Sequence, residues 1–305
     1  MKKYFIVLVV SYIFASCTNT HHENIKIGFV GDILLDRGVR KEMDKRGIDN
    51  FYDKLHGQLQ PTDYLIGNLE CPLTQIYNPV HKRFVFRADT TNAAYLRACG
   101  FTHLSMANNH AYDQGREGLE HTYYVLKNKK IQALGFGNSL NESCKPITID
   151  SNDIHISIFA TVTLALENWY PLPQKPCICQ DMGDSFINRV ATYASSNPEK
   201  QIVIYIHWGI EHFKEPSPRQ KKLAKSLIDV GADLIIGHHP HVLQKHEIYK
   251  EKHIFYSLGN FIFDQKDSIN TSTEMLLADF NNTGYEIVSK PYKIINSIPY
   301  LKKNL

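Results

Sequence analysis

Five apolar segments of this chain end in side chains that bind metals or move protons. FVGD ends in Asp32, LIGNLE in Asn68 and Glu70, SMANNH in Asn109 and His110, YIHWG in His207, and LIIGHHPH in His238, His239 and His241. Each has an ordinary explanation when taken alone. An aspartate after a strand caps a turn or a helix, a histidine is commonly a satisfied surface or core residue, and an asparagine suits a left-handed turn. Five strand ends of one kind form a pattern. If the strands run parallel in one sheet, their C-terminal ends share an edge, and these side chains converge on a crevice of the kind in which α/β proteins hold ligands.

Nitrogen and carboxylate donors without organised thiolates suit zinc, manganese or iron, and disfavour an all-oxygen calcium site. One or two divalent ions are therefore expected. Two such ions sharing a carboxylate lower the pKa of bound water and polarise a phosphoryl or acyl oxygen. His110 sits beside the cluster as a proton donor to a leaving group would, and Asp113, three residues on, is spaced to fix its ring by a hydrogen bond. Asn68 and Glu70 share a face if their strand continues that far, with Leu69 on the other. The spacing leaves open which of the two binds metal.

The elements that must position these groups alternate in the manner of a layered α/β protein. Strands are expected at IKIGFVG, DYLIGNLE, FTHLSMAN, HISIFATVT, QIVIYIHWG, ADLIIG and HIFYSLGNFIF. TNAAYLRACG reads as a helix closed by Gly100, and Gln114 to Lys130 as an amphipathic helix carrying Leu119, Tyr123 and Leu126. A further helix begins at SPRQKK, with Ser217 as its cap and Pro218 in its first turn, and stops at Gly231. Residues 166 to 186, with three prolines and no period, read as a long surface loop. EMLLADF and GYEIVSK read as antiparallel strands that complete a second sheet.

The 305 residues, 43% hydrophobic and 21% charged, suffice for a large core. A net charge of +3 from 34 basic and 31 acidic residues implies no nucleic-acid surface. At the N-terminus, MKK followed by YFIVLVVSYIFA forms an export signal too short for a stable membrane span. It ends FASC before a polar tail, which resembles the bacterial lipoprotein box and makes Cys17 the lipidated anchor. The expected organisation is a signal over 1–17, a tether over 18–24 and a single domain over 25–305. Of the six cysteines, five remain after Cys17, an odd number at irregular spacing and so no disulfide framework. Cys144 can bridge to the Cys177/Cys179 pair in an oxidising compartment, and Cys177-Ile-Cys179 lacks the second pair that a metal site needs.

Taken in order, GD, GNLE, ANNHAYDQG, HWGIEH, GADLIIGHHPH and YSLGNFIFD resemble the CapA family of poly-γ-glutamate capsule biosynthesis proteins, called PgsA in some bacteria, within the calcineurin-like metallophosphatase superfamily. The resemblance runs from about Lys26 to Asp264. It implies a four-layer αββα sandwich with metal ligands on the loops at the strand ends. It makes Asp32 the first metal-binding carboxylate, Asn68 or Glu70 the bridge between two metals, Asn109 the third-motif asparagine and His110 the catalytic histidine. His207 matches the fourth motif, and His239 and His241 the final His-x-His. His238 stands where the superfamily usually has glycine. Glu211, Asn260 and Arg87 match positions of this branch, which implies contacts to the substrate or to the ligands, and Arg87 suits an anionic group.

There are two departures from the superfamily. Its members usually begin Asp-x-His, whereas this chain reads Asp32-Ile33-Leu34, and their second motif begins Gly-Asp, whereas here it is Gly67-Asn68. One metal site is thereby short of a ligand. The resemblance implies a membrane-anchored envelope protein, working with capsule-synthesis membrane proteins, that acts as a metal-dependent hydrolase or transferase on an anionic polymer or a phosphoester. The alternative is a non-catalytic component that binds the polymer or assembles its export machinery on the same fold.

Overall fold

The strand Ile25–Ile33 is buried along nearly its whole length because it separates two cores. Ile25, Ile27 and Phe29 face one core and Val30 the other, as the two-residue period of a strand requires, and the register irregularities after Phe29 turn Ile33 to the same core as Val30. This is seen in a computed structural model that describes residues 24–302 apart from 152, 168–171, 173 and 182. The signal segment and Cys17 lie outside the described residues. No helix among the described residues is long and apolar enough to cross a membrane.

The first sheet has the order Ile298–Leu301, Gly284–Ile295, Ser272–Asn281, Ile25–Ile33, Tyr64–Leu69, Phe101–Ser105 and Gln132–Leu134, with Asn260–Ile262 pairing parallel to the end of Ile25–Ile33. The second has the order His246–Tyr249, Lys252–Phe255, Leu234–His238, Gln201–His207, Ile154–Val162 and Ile147–Ser151. Ile66 of the first sheet and Ile158, Val203, Tyr205 and Ile236 of the second interleave in the core between them. The Tyr205 hydroxyl donates across the gap to the Val30 carbonyl at 2.8 Å. Helices Arg37–Arg46, Ile48–His56, Asn92–Ala98 and Gly115–Asn128 cover the outer face of the first sheet. Asp184–Ser196 and Pro218–Asp229 cover that of the second. The result is αββα layering.

Local chemistry accounts for the element ends that the sequence marks. Ser217 and Gln220 form a reciprocal capping box with Pro218 in the first turn. Gly231 follows that helix at φ +112° and Gly100 follows Asn92–Ala98 at φ +101°, a backbone region that glycine enters without strain. Cys144 and Cys179 are joined by a disulfide, while Cys71, Cys99 and Cys177 are buried thiols.

Four expectations require correction. The strands that supply the polar ends belong to two facing sheets, not one. The C-terminal hairpin Ser272–Asn281 and Gly284–Ile295 extends the first sheet, alongside Ile25–Ile33, and does not complete the second. HIFYSLGNFIF is two strands, because the chain leaves the second sheet after Phe255 and enters the first at Asn260. The stretch 166–186 contains the short strand Cys177–Ile178 and the first turn of Asp184–Ser196. Helices Arg37–Arg46 and Ile48–His56 were not anticipated, although Ile48–His56 carries Phe51, Tyr52 and Leu55 on its buried face at helical spacing.

His103 gives the fold a pH dependence. Burial in the first sheet pushes its pKa down from 6.5 to about 4, so on acidification the unfolded chain takes up a proton before the folded one does. The associated stability is present above pH 6.5 and is lost as the pH falls through about 4. The loss should reach roughly 3 kcal/mol. Urea unfolding of wild type and His103→Gln between those limits should show a shallower slope for the variant; parallel slopes would refute this account.

Candidate metal centre

The C-terminal ends of both sheets meet where Ile25–Ile33 runs out. Asp32 is in register with Asn68 on one neighbour and Asn260 on the other. The close approach of Asn260–Ile262 depends on Gly31, where an added Cβ would lie 1.9 Å from the Gly259 carbonyl oxygen. From the second sheet, His207 and His238 end neighbouring strands in register. The chain then turns through His239 at φ +97° and His241 at φ +57°. Such conformations cost a residue other than glycine on the order of 1–3 kcal/mol each and concentrate at functional sites.

Two overlapping groups of donors result. Asp32, Glu70 and His207 have ligand atoms within 4.8 Å of one another, as do Glu70, His239 and His241. Glu70 is common to both groups. Both its carboxylate oxygens are buried without a hydrogen bond, as is His239 Nδ1; the nearest cation is His241, whose Nε2 is 3.5 Å from Glu70 Oε1. An ionised carboxylate buried in this way costs several kcal/mol unless a positive charge accompanies it. The donor set, two carboxylates and three imidazoles, fits a divalent transition metal.

Asn68 occupies a different position. Its amide nitrogen donates to Asp32 Oδ1 at 2.8 Å and lies 3.2 Å from His207 Nδ1. Its oxygen accepts from Asn108 at 3.2 Å. Of the pair left open by the sequence, Glu70 has the uncommitted oxygens. Asn109 Oδ1 lies 2.9 Å from His207 Nε2. Asn260 Oδ1 lies 2.9 Å from His241 Nδ1, while its amide nitrogen donates to Gln265 at 2.8 Å, so it orients the ring. His238 is buried with its Nδ1 3.5 Å from Asp32 Oδ1.

His110 is held by Asp113, whose Oδ2 is 2.8 Å from Nδ1. Asp113 is fixed in turn by the Phe86 amide at 2.6 Å and by Lys82 Nζ at 2.5 Å. Tying Nδ1 to a carboxylate sets the tautomer and turns Nε2 away from Asp113. Glu211 is half exposed and sits on the rim next to His212. Arg87 directs its guanidinium to the Gln75 carbonyl at 3.4 Å and the Tyr77 ring at 5.1 Å. The cation at the cluster is instead Lys82, which also donates to the Asn109 carbonyl at 2.8 Å.

Burial dominates the protonation equilibria here. It drives Asp32 upward, but His238 and His241 outweigh it and hold the carboxyl well below its usual value. Glu70 is raised well above the carboxylate range by burial and by the charge of Asp32. Burial lowers His207 strongly and His239 to about 3, so both favour the neutral, ligating form. Burial also opposes the charge on His241, yet Glu70 and Asp32 overcome it and lift the ring to about 9. His110 is lowered by burial, with Asp113 acting against that.

Sequence reasoning missed Asn108 and Lys82. The doubled asparagine of ANNH was a signal, but only one of the two was assigned a role; Lys82 lay in the basic run HKRF without a motif. Asn108 is fully buried and donates to the Leu69 carbonyl at 2.8 Å, accepting from the His110 amide at 3.0 Å. Asn108→Ala should therefore cost roughly 2–4 kcal/mol in chemical denaturation, because it strands two buried backbone groups and the Asn68 oxygen. A cost below about 1 kcal/mol would show that water replaces the amide.

With this geometry in place, comparison with known proteins is informative. The family model described as "Bacterial capsule synthesis protein PGA_cap" matches residues 26–265. The capsule biosynthesis protein CapA of Bacillus anthracis is 32% identical over 255 residues, covering 80% of this chain and 62% of that protein. The PGA biosynthesis protein CapA of Bacillus subtilis is 32% identical over 244 residues, covering 79% and 64%. The chain thus spans somewhat under two thirds of those relatives' length. Among solved structures, NAD nucleotidase of Haemophilus influenzae superposes with a TM-score of 0.53 at 12% identity, over 90% of this chain and 51% of that one. A putative 5'-nucleotidase of Staphylococcus aureus gives 0.52 at 10% identity, over 92% and 55%. These likenesses concern the fold and bear out the αββα sandwich of the metallo-dependent phosphatase type. By the match of its motifs and sequence, the chain belongs to the bacterial capsule synthesis protein family, PGA_cap.

Proposed function

We propose that this protein is a metal-dependent hydrolase or transferase of the bacterial cell envelope, anchored through Cys17, that acts in the biosynthesis of an anionic capsule polymer of the poly-γ-glutamate type. The observation that carries the reading is Glu70: a buried carboxylate without hydrogen bonds, shared by two groups of metal-capable donors. The printed names of the Bacillus relatives, capsule biosynthesis and PGA biosynthesis, support the polymer class.

Asp32, Glu70, His207, His239 and His241 would hold one or two ions of manganese, iron or zinc, with Asn109 beside His207. When bound, such ions supply Lewis acidity toward an acyl or phosphoryl oxygen. The remaining groups hold and move protons. Asp113 and Lys82 fix the His110 ring so that Nε2 meets the leaving group. Burial holds the His110 pKa down and favours the neutral ring; an anionic substrate nearby would raise it and equip the ring to donate a proton. Asn260 keeps the His241 ring oriented, and Asn68 holds the Asp32 carboxylate.

Metal content tests the centre directly. Wild type purified without chelators should carry one or two equivalents, and Asp32→Ala or His239→Ala should lose them; a chain without bound metal would overturn the reading. His110→Ala should retain its metal while turnover falls by about 10²–10⁴-fold. Polymer binding with no turnover in wild type would favour the non-catalytic reading, for which Leu34 and Asn68 in place of the superfamily's ligands are the supporting observation. The anchor is tested separately: Cys17→Ser should move the protein from the membrane fraction to the soluble one, and continued membrane association would rule it out.

A further inference from the structure

A cleft of about 820 Å³ lies beside the metal centre, between the start of Arg37–Arg46, the loop after Ile262 and the turn that follows Ile295. Its size is that of a pocket for an extended ligand. It adjoins the centre at three points. Phe263, in its wall, packs on the His241 ring with centroids 4.8 Å apart. Gln265, also in the wall, accepts from Asn260, which orients His241. The Arg37 guanidinium lies 4.8 Å from the Phe86 ring, which stacks on His110 at 4.2 Å.

The charges that line the cleft are unequally committed. Asp264 is taken up by Arg37 Nη2 at 2.6 Å and by the Gly38 amide at 3.0 Å. Glu42 accepts from Arg46 Nε at 3.0 Å. Lys41 and Lys266 are exposed and have no ion-pair partner among the described residues. Both acids are thus neutralised while two lysines remain available. Arg37 is held at φ +51° with its Nε–H buried and without a partner, a strained placement that leaves one donor unmet. Gln265, Thr271 and Asn296 add amide and hydroxyl groups to the same wall.

We infer that this cleft binds the non-reacting part of the substrate, an acidic chain with repeating carboxylates and amides, and leads it to the metal centre. Lys41 and Lys266 meet its carboxylates, and Gln265 and Asn296 meet its amide links. Holding the chain there positions the reacting bond over His110 and His241, which is how remote contacts contribute to rate. The inference rests on the proposed function, but it has a separate readout, because the lysines stand outside the metal cluster.

The test is calorimetric titration of the metal-loaded protein with a short γ-linked glutamate oligomer, at low and high salt. Lys41→Ser/Lys266→Ser should bind about tenfold more weakly, with metal per chain unchanged and a weaker salt dependence. Lys129→Ser/Lys222→Ser, which removes the same charge from outside the cleft, should bind as wild type does. Equal loss in both double variants would reduce the effect to net charge and overturn the cleft. So would undiminished binding in the first variant, no binding by wild type, or equal binding of an uncharged glutamine oligomer. A chain that binds the oligomer through these lysines yet carries no metal would sink the proposed chemistry and leave the cleft standing.

Discussion

Two carboxylates, Asp32 and Glu70, are buried within 4.8 Å of each other at the junction of the two sheets. At an effective dielectric of about 20, like charges at that separation repel by more than about 3 kcal/mol. Desolvation adds further cost. Such a pair is ionised at both acids only where positive charge accompanies it, and otherwise Glu70 retains a proton; the surroundings are arranged to supply that charge. His241 is drawn to about 9 by these two acids. Proton and divalent ion compete for the same imidazole nitrogen, so the acids that charge His241 are the ones that would attract a metal in its place.

Everything around the pair serves to hold it. The two sheets bring their C-terminal ends together because Ile27, Phe29 and Ile66 on one side must pack against Ile158, Val203 and Tyr205 on the other. The register of Asp32 with Asn68 and Asn260 sets the Asn68 amide on the first carboxylate and the Asn260 amide on the neighbouring His241 ring. Backbone strain at His239 and His241 aims both rings at Glu70. That strain is tolerated because the loop lies between a fully buried strand and Asn260 and Asn270, which hold the His241 carbonyl. The cluster is therefore a product of sheet packing, and the loop alone would not form it.

Much of this was legible in the sequence, for identifiable reasons. Apolar runs ending in Asp32, Glu70, His207 and His239 mark strand ends because side-chain alternation and turn chemistry are local. Ser217, Pro218 and Gly231 mark a helix for the same reason. What could not be read were non-local choices. HIFYSLGNFIF reads as one strand, yet the chain changes sheet within it, a step decided by packing around Gly259 and Leu258 and not by any local preference. Lys82 reaches Asp113 across 31 residues and carries no motif. Arg87, by contrast, was singled out by a motif, and the structure turns it to Gln75 and Tyr77.

The two departures from the pattern that the resemblance implies are coupled. With Asn68 where a carboxylate is usual, the amide can donate to Asp32 at 2.8 Å, which a carboxylate could not do without repulsion. Glu70, two residues on and on the same face, then brings the negative charge to the junction with a longer side chain. Leu34, where histidine is usual, is wholly buried in the apolar core beneath, so the first strand contributes one donor and no more. The substitutions leave two carboxylates for the centre. One divalent ion would balance them once it has displaced the His241 proton; a second would then leave the site positive by two charges, since His207 and His239 favour their neutral forms. On the proposed reading, an anionic substrate would supply that missing negative charge.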